Sequence, residues 1–232
     1  MLSVIPNPAR PTLPIVGSDD LFPVRRVYCV GRNYAAHARE MGRDPDREPP
    51  FFFLKPADAL QAVPYGETAD LPYPPRTENY HFEVELVAAL GAGGRDISAD
   101  KALAYVYGYA IGLDMTRRDL QDEAKGLSRP WDLAKGADAS APIGPLHPAG
   151  TIGHPDRGAI GLDVDGARRQ SGDLSEMIWS VADQVALLST YGELHPGDLI
   201  FTGTPSGVGP VARGQTMRAA IDGLGEIALR VV

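Results

Sequence analysis

Apolar and polar residues alternate along much of the chain with the period of two that is typical of β-strands. In the segment HFEVELVAAL, residues 81–90, this alternation places Phe82 and Val84 on one face of a predicted strand and Glu83 and Glu85 on the other. Further strands are predicted at 24–30, 51–54, 105–114, 159–164, 167–170, 198–202, 216–221 and 227–232.

Helical signals are fewer. Asn33 can cap a helix over 34–41, and Thr116 with Asp119 resembles a capping box for a helix that ends near Lys125. A short helix follows Ser98, and residues 174–188 place apolar side chains at helical spacing. Because strands outnumber helices and do not alternate with them regularly, the sequence predicts an α+β fold with a mainly β core.

The length of 232 residues favours one domain, which we place at 24–232 after an N-terminal extension, 1–23. Between the first predicted helix and the strand at 51–54, residues 43–50 contain three prolines and five charged residues. This composition indicates an exposed loop. We therefore expect a mobile lid over about 33–50.

The charge balance limits the partners that the protein can bind. The chain has 22 Lys+Arg and 30 Asp+Glu, a formal charge of −8, which argues against a general nucleic-acid surface. No apolar run approaches the roughly 20 residues of a membrane span, and the N-terminal residues do not resemble a signal peptide. The single cysteine, Cys29, lies in an apolar run and cannot form an internal disulfide. We expect a cytoplasmic protein without nucleic-acid or membrane partners.

Three carboxylates form the most informative candidate site. Glu83 and Glu85 share one face of their strand, about 7 Å apart at Cα, and Asp114 ends a later apolar strand. An ordinary solvent-exposed sheet face is the alternative. A carboxylate at the end of a buried strand is costly unless it is paired. Three carboxylates without a Cys or His cluster therefore indicate a site for Mg²⁺, Mn²⁺ or Ca²⁺.

Three further side chains are candidates for proton transfer and charge stabilisation. His37 and Glu40 lie three residues apart on the predicted helix, so a carboxylate-held imidazole can serve as a general base for water. An ordinary exposed pair is the alternative. Lys135 lies in the apolar segment 131–136. It either meets an anion there or is a surface lysine whose stem packs on apolar neighbours.

Arg118 and Gln121 share one helical face shortly after Asp114. The segment TGTPSGVG, residues 202–209, is a glycine-rich loop after a strand. It lacks the lysine of a phosphate-binding loop and opens no helix, so a tight turn that lines a pocket is favoured.

Several segments, taken in order, resemble the fumarylacetoacetate hydrolase superfamily in its short acylpyruvase branch. They are VGRNYAAH at 30–37, FLKP at 53–56, HFEVEL at 81–86, GYAIGLDMT at 108–116, RDLQ at 118–121 and GDLIFTGTP at 197–205. Their order and spacing are kept from about residue 24 to 232.

This resemblance implies a mixed β-roll with a barrel-like core, assembled as a homodimer. It implies Mg²⁺ or Mn²⁺ on Glu83, Glu85 and Asp114, and a His37–Glu40 dyad on a lid that closes over the substrate. It further implies a catalytic lysine and five substrate-binding residues, namely Lys135 and then Arg32, Tyr34, Arg118, Gln121 and Thr204.

The segments 22–30 and 44–53 look most like fumarylpyruvate hydrolases of the gentisate pathway. The expected reaction is hydrolysis of a C–C bond in a small anionic 2,4-dioxo acid, with the metal polarising its pyruvate end. Two alternatives remain open. One is decarboxylation of oxaloacetate or tautomerisation of an oxo acid at the same site, and the other is a non-enzymatic β protein with a structural metal.

Overall fold

Strands dominate the part of the chain that the computed structural model describes, which is residues 4–6, 9–40 and 50–232, with the backbone alone for 38–40. The strands are Thr12–Pro14 (β1), Leu21–Pro23 (β2), Arg26–Gly31 (β3), Phe51–Lys55 (β4), Leu60–Ala62 (β5), Thr68–Leu71 (β6), Tyr80–Phe82 (β7), Val84–Leu90 (β8), Val106–Leu113 (β9), Thr116–Arg117 (β10), Ala141–Ile143 (β11), His147–Pro148 (β12), Ala159–Val164 (β13), Ala167–Asp173 (β14), Asp198–Phe201 (β15), Gly209–Pro210 (β16), Thr216–Ile221 (β17) and Gly225–Val231 (β18). The helices are Ala35–Glu40 (α1), Ala99–Ala102 (α2), Arg118–Gly126 (α3), Asp132–Lys135 (α4), Ala149–Ile152 (α5) and Val181–Tyr191 (α6).

Two large sheets form the body of the protein. The first has the order β4-β3-β15-β8-β9-β11-β5, with β12 also paired to β9, and it curls as a half-barrel. The second has the order β14-β13-β17-β18-β6, and two small sheets, β1-β2 and β10-β7-β16, complete the set in the described ranges. Pairing is parallel for β3–β15, β5–β11 and β6–β18. The predicted α+β, mainly β and barrel-like architecture is confirmed.

Strand β8 lies at the centre of the first sheet and is buried on both faces. Leu86 belongs to the larger apolar core with Leu229 of the second sheet, whereas Val87 packs in a second core with Leu13 and Phe22 of the N-terminal strands. Each fully buried side chain of this size contributes about 1.5–3 kcal/mol through removal from water. The alternation along β8 therefore separates two cores, and every residue of this strand is buried.

The predicted strand 81–90 is interrupted at Glu83. Strand β7 pairs with β10 and β16, whereas β8 pairs with β9 and β15. The chain changes sheets at Glu83, and local alternation carries no information on that change of partners.

Two helix boundaries also differ from the sequence expectation. The segment 174–188 divides into a 3₁₀ turn, Leu174–Glu176, and α6, because Ser180 forms a capping box with Asp183. The capping box expected from Thr116 and Asp119 is not formed, and α3 begins at Arg118. The Asp119 carboxylate accepts hydrogen bonds from Thr77 Oγ1 (2.7 Å) and the backbone N–H of Glu78 (2.9 Å) instead.

Among the helices of the described segments, none has the length and hydropathy that a bilayer-spanning helix requires. Cys29 is buried, as the apolar run around it indicates.

Candidate active site

The antiparallel pairing of β8 with β9 brings the three predicted metal ligands together. Val84 pairs with Leu113 across this hairpin, and the backbone N–H of Asp114 donates to the carbonyl of Glu83 at 2.9 Å. Asp114 therefore lies opposite Glu83, and Glu85 follows on the same strand face. One carboxylate oxygen from each of the three residues lies within 4.8 Å of the others.

All three carboxylates are buried. Glu83 is 6 %, Glu85 2 % and Asp114 1 % exposed, so a solvated sheet face is not what the structure contains. Removing carboxylates from water costs several kcal/mol for each ion unless counter-charges and hydrogen bonds compensate. The neighbouring side chains must supply that compensation.

Lys135, at the end of α4, bridges two of the carboxylates. Its Nζ lies 2.8 Å from Glu83 Oε2 and 2.6 Å from Asp114 Oδ2, and the residue is 2 % exposed. Burial by itself would lower the pKa of Lys135, but the carboxylates of Asp114 and Glu83 outweigh burial and raise it. The side chain is therefore an ammonium at neutral pH and not a surface lysine.

A second buried ammonium, Lys55, supports the base of the site. Its Nζ lies 2.9 Å from Asp114 Oδ1 and donates to the carbonyls of Met115 (3.0 Å), Ser140 (2.9 Å) and Lys135. The sequence places Lys55 in a family segment but assigns it no role. The signal that could identify it is a lysine directly after the apolar strand 51–54, where it too needs an anion.

Glu85 has different surroundings from Glu83. It accepts a hydrogen bond from the backbone N–H of Gly203 at 2.8 Å. Burial, together with the charges of Asp114 and Glu83, raises the pKa of Glu85 well above its usual value. Gly203 has a φ of +99°, and a Cβ there would lie 2.6 Å from Cβ of Asn33, so only glycine fits.

The pKa of Glu83 shifts in the opposite direction. Burial would raise its pKa, but the charges of Lys135 and Arg118 outweigh burial and lower it. The surroundings of Glu83 therefore favour its charged form, whereas those of Glu85 favour its neutral form.

The donor set fits a divalent cation. Asp114 Oδ1 lies near Lys55 Nζ but accepts no hydrogen bond within the described residues, so a lone pair remains for a ligand. Oxygen ligands at about 2.0–2.6 Å from an ion can lie up to about 4–5 Å apart, and the spacing here is within 4.8 Å. A dication would also remove the repulsion that raises the pKa of Glu85. Mg²⁺, Mn²⁺ and Ca²⁺ all match this oxygen-only set.

Arg118 and Gln121 lie together beside the carboxylates, as their spacing predicts. The Arg118 guanidinium donates to Glu83 Oε1 and to Gln121 Oε1, and its Nε lies 3.3 Å from His81 Nδ1. Burial and the charge of Arg118 lower the pKa of His81 to about 4. The structure therefore places Arg118 as a support for Glu83.

Thr204 also lines the cavity. Its hydroxyl donates to the carbonyl of Val84 at 2.7 Å and accepts from Gln170 Nε2 at 2.8 Å. Gln170 Oε1 in turn accepts from the backbone N–H of Val84 at 3.0 Å. Gln170 thus fixes the start of β8, although nothing in its local sequence indicates this.

The remaining four predicted residues have three different outcomes. His37 and Arg32 line the same cavity as the carboxylates. Tyr34 is buried and does not line it, so the structure does not bring this predicted substrate-binding residue to the site. The side chain of Glu40 and residues 41–49 of the expected lid lie outside the described residues, and the His37–Glu40 dyad stays a prediction.

An aromatic wall lines the same cavity as the carboxylates, and the sequence does not indicate it. Phe51, Phe53 and Trp131 line the cavity, with ring centroids 5.4 Å apart for Phe51–Trp131 and 5.6 Å for Phe53–Trp131. Lys135 Nζ lies 4.9 Å from the centre of the Phe53 ring, so the aromatic wall begins next to the charged groups at the bottom of the cavity.

Comparison with known proteins agrees with this geometry. Residues 26–232 match the family described as fumarylacetoacetate (FAA) hydrolase C-terminal. The chain is 45 % identical over 194 residues to fumarylpyruvate hydrolase from Ralstonia sp. The alignment covers 82 % of this chain and 98 % of the relative. The chain is also 42 % identical over 206 residues to the mitochondrial oxaloacetate tautomerase of Arabidopsis thaliana, which covers 89 % of this chain and 90 % of the relative.

A solved structure is still more similar. The crystal structure of fumarylpyruvate hydrolase from Pseudomonas aeruginosa, in complex with Mn²⁺ and pyruvate, is 60 % identical and has a TM-score of 0.98. The match covers 100 % of this chain and 99 % of that chain. The resemblance found in the sequence is confirmed, and the chain belongs to the fumarylacetoacetate hydrolase family.

Proposed function

We propose that this protein is a divalent-metal-dependent acylpyruvate hydrolase that converts fumarylpyruvate to fumarate and pyruvate. The observation that carries the proposal is the buried site in which Glu83, Glu85 and Asp114 converge beside the ammonium of Lys135. The similar Pseudomonas aeruginosa enzyme holds Mn²⁺ and pyruvate, and pyruvate is one of the two products of this reaction.

Glu83, Glu85 and Asp114 would hold the metal, Mg²⁺ or Mn²⁺. When bound, it would supply Lewis acidity toward the carboxylate and keto oxygens of the pyruvate half. Lys135 is held at this base by two carboxylates. Its charge stabilises the negative charge that develops on the pyruvate half when the C–C bond breaks.

His37 lines the same cavity and is the candidate general base. It removes a proton from water, and the resulting hydroxide adds to the carbonyl carbon of the acyl group. The bond between this carbon and the methylene carbon then breaks, so the acyl group leaves as a carboxylic acid and the methylene carbon gains the proton that His37 took from water. Gln121, whose Oε1 accepts a hydrogen bond from Arg118, orients the attacking water.

Oxaloacetate decarboxylation or tautomerisation is the second candidate, since a relative that is 42 % identical is an oxaloacetate tautomerase. The three carboxylates and Lys135 at the bottom of the cavity would serve either reaction, because in each of them negative charge develops on a 2-oxo acid. We further propose that the protein is a homodimer and that it is located in the cytoplasm.

A substrate panel tests it. Protein stripped with a chelator and reloaded with Mn²⁺ or Mg²⁺ is assayed on fumarylpyruvate, acetylpyruvate and oxaloacetate, and kcat/KM is compared. We expect fumarylpyruvate to give the highest value, His37→Ala to lower mainly kcat, and Glu83→Gln to abolish metal binding. A higher kcat/KM for oxaloacetate, or full activity in excess chelator, refutes the proposal.

Chelation also separates an enzyme from a β protein with a structural metal. A catalytic metal leaves the fold largely intact when it is removed, whereas loss of a structural metal unfolds the protein. Circular dichroism on the stripped protein measures this directly.

A further inference from the structure

The cavity has two zones of different chemistry. Its base contains Glu83, Glu85 and Asp114, which are all nearly inaccessible to solvent. Its outer wall is aromatic, and Phe51 and Trp131 are only partly buried. The proposed reaction uses the base and leaves the outer wall without a role.

Helix α3 connects these two zones. Arg118, Gln121 and Lys125 all line the cavity, and their spacing of three and then four residues places them on one face of the helix. At about 1.5 Å of rise per residue, Lys125 lies about 10 Å along the axis from Arg118. Arg118 binds Glu83 at the base, so Lys125 marks the outer end of the same face.

Two cations accompany the aromatic residues at this outer end. Lys125 Nζ lies 5.5 Å from the centre of the Trp131 ring, and Arg32 Cζ lies 5.2 Å from the centre of the Phe51 ring. Lys125 also contacts the carboxylate of Asp122 at 3.3 Å, on the exposed side of the helix. Asp122 is a weak competitor for the ammonium, because exposed pairs of this spacing contribute little.

The backbone fixes this outer end. A Cβ on Gly31 would lie 2.0 Å from Cζ of Phe51, so the ring of Phe51 lies directly against the glycine. Arg32, the next residue, has a φ of 61°, which is uncommon for a residue other than glycine. Strained backbone of this kind is most common at functional sites.

Flat aromatic faces accept a planar unsaturated chain, and cations at the end of such a chain bind a carboxylate. A 2,4-dioxo acid held at the base by its pyruvate half must extend its acyl group along this wall. A fumaryl group is planar and ends in a carboxylate.

Resting on the function proposed above, we propose that Lys125, with Arg32 across the Phe51–Trp131 wall, binds a carboxylate at the far end of the acyl group. The substrate class is thereby acylpyruvates that carry a second, distal carboxylate. Lys125 contacts the substrate and sets specificity, and the bond cleavage takes place at the base.

A binding experiment tests this independently of catalysis. The probes are 2-oxoheptanedioate and 2-oxoheptanoate, which have the same chain length and differ only in the distal carboxylate. Neither contains the second keto group that the cleavage requires. Calorimetry on Mn²⁺-loaded wild type should show about tenfold tighter binding of the diacid, which is the range of a charge-assisted hydrogen bond.

Variants assign the preference to one side chain. Lys125→Gln should bring the ratio of the two dissociation constants close to one, and Lys125→Arg should restore part of it. Lys101→Gln removes an exposed lysine from α2, a different helix, and should keep the wild-type ratio. Thermal melts confirm that each variant is folded. A wild type that binds both acids equally or binds neither, or a Lys125→Gln variant that keeps the full ratio, overturns the proposal.

A kinetic measurement separates this inference from the proposed function. The ratio of kcat/KM for fumarylpyruvate to that for acetylpyruvate should fall about tenfold in Lys125→Gln. If wild type cleaves neither substrate, the hydrolase function fails, and the calorimetric ratio alone decides whether the distal carboxylate is bound.

Discussion

Replacing Lys55 by methionine tests whether the site depends on a buried ammonium that does not line the cavity. Methionine keeps the length and apolar stem of the side chain and removes its charge and its donors. The substitution leaves Asp114 Oδ1 without the ammonium at 2.9 Å and leaves the carbonyls of Met115, Ser140 and Lys135 without this donor.

The expected cost is large. Removing one partner of a buried ion pair costs about 3–5 kcal/mol. Asp114 keeps the Lys135 ammonium at 2.6 Å, but its Oδ1 loses the counter-charge and three buried carbonyls lose their donor. Lys55 and Asp114 are 2 % and 1 % exposed, so solvent screens this pair little. For a chain of 150–250 residues, about 4 kcal/mol corresponds to a fall in Tm of about 8–16 °C.

Urea unfolding and thermal melts of the chelator-treated protein measure this change. Lys101→Met is the matched control, since Lys101 is exposed and its loss should change the free energy of unfolding by less than about 0.5 kcal/mol. A loss of less than about 1 kcal/mol in Lys55→Met would show that the buried pair is not what stabilises Asp114.

Two pH-dependent predictions follow from the same cluster. The raised pKa of Glu85 means that the folded apo-protein binds a proton there more tightly than the unfolded chain, whose value is near 4.5. Wild type without metal should therefore lose stability relative to Glu85→Gln as pH rises above about 4.5, and parallel Tm curves contradict this. His81 has a lowered pKa of about 4. An NMR titration should find its imidazole neutral at pH 6, and a midpoint above 6 contradicts the assignment.

The metal-ligand candidates could be predicted because their signals are local. Glu83 and Glu85 interrupt an apolar run at a spacing of two, and Asp114 ends another apolar run. The two strands beside these carboxylates, β8 and β9, were predicted within a few residues, and their antiparallel pairing then brings Asp114 to Glu83. The family segments strengthened this interpretation.

What the sequence did not predict depends on long-range pairing. The break at Glu83 reflects a change of strand partners, and the carboxylate of Asp119 binds the distant Thr77 instead of capping its own helix. Gln170 lies 86 residues from the strand start that it holds. No periodicity within a window of ten residues reports such contacts.

The aromatic wall was missed for a related reason. Phe51 and Phe53 fit an ordinary strand, and Trp131 fits a loop before a short helix, so each residue has an unremarkable local explanation. Only the packing of β4 beside α4 brings the three rings to one surface.

The two zones of the cavity differ in how freely they can change during evolution. The carboxylates of the base lie on or directly beside the central strands β8 and β9, which are largely buried, so almost any substitution there disturbs a core. The outer wall lies on β4, an edge strand of its sheet, and on short helical segments beside it. Substitutions at an edge disturb fewer packed neighbours and cost less stability. A lineage can therefore acquire new substrates by changing this edge while it inherits the reactive base intact.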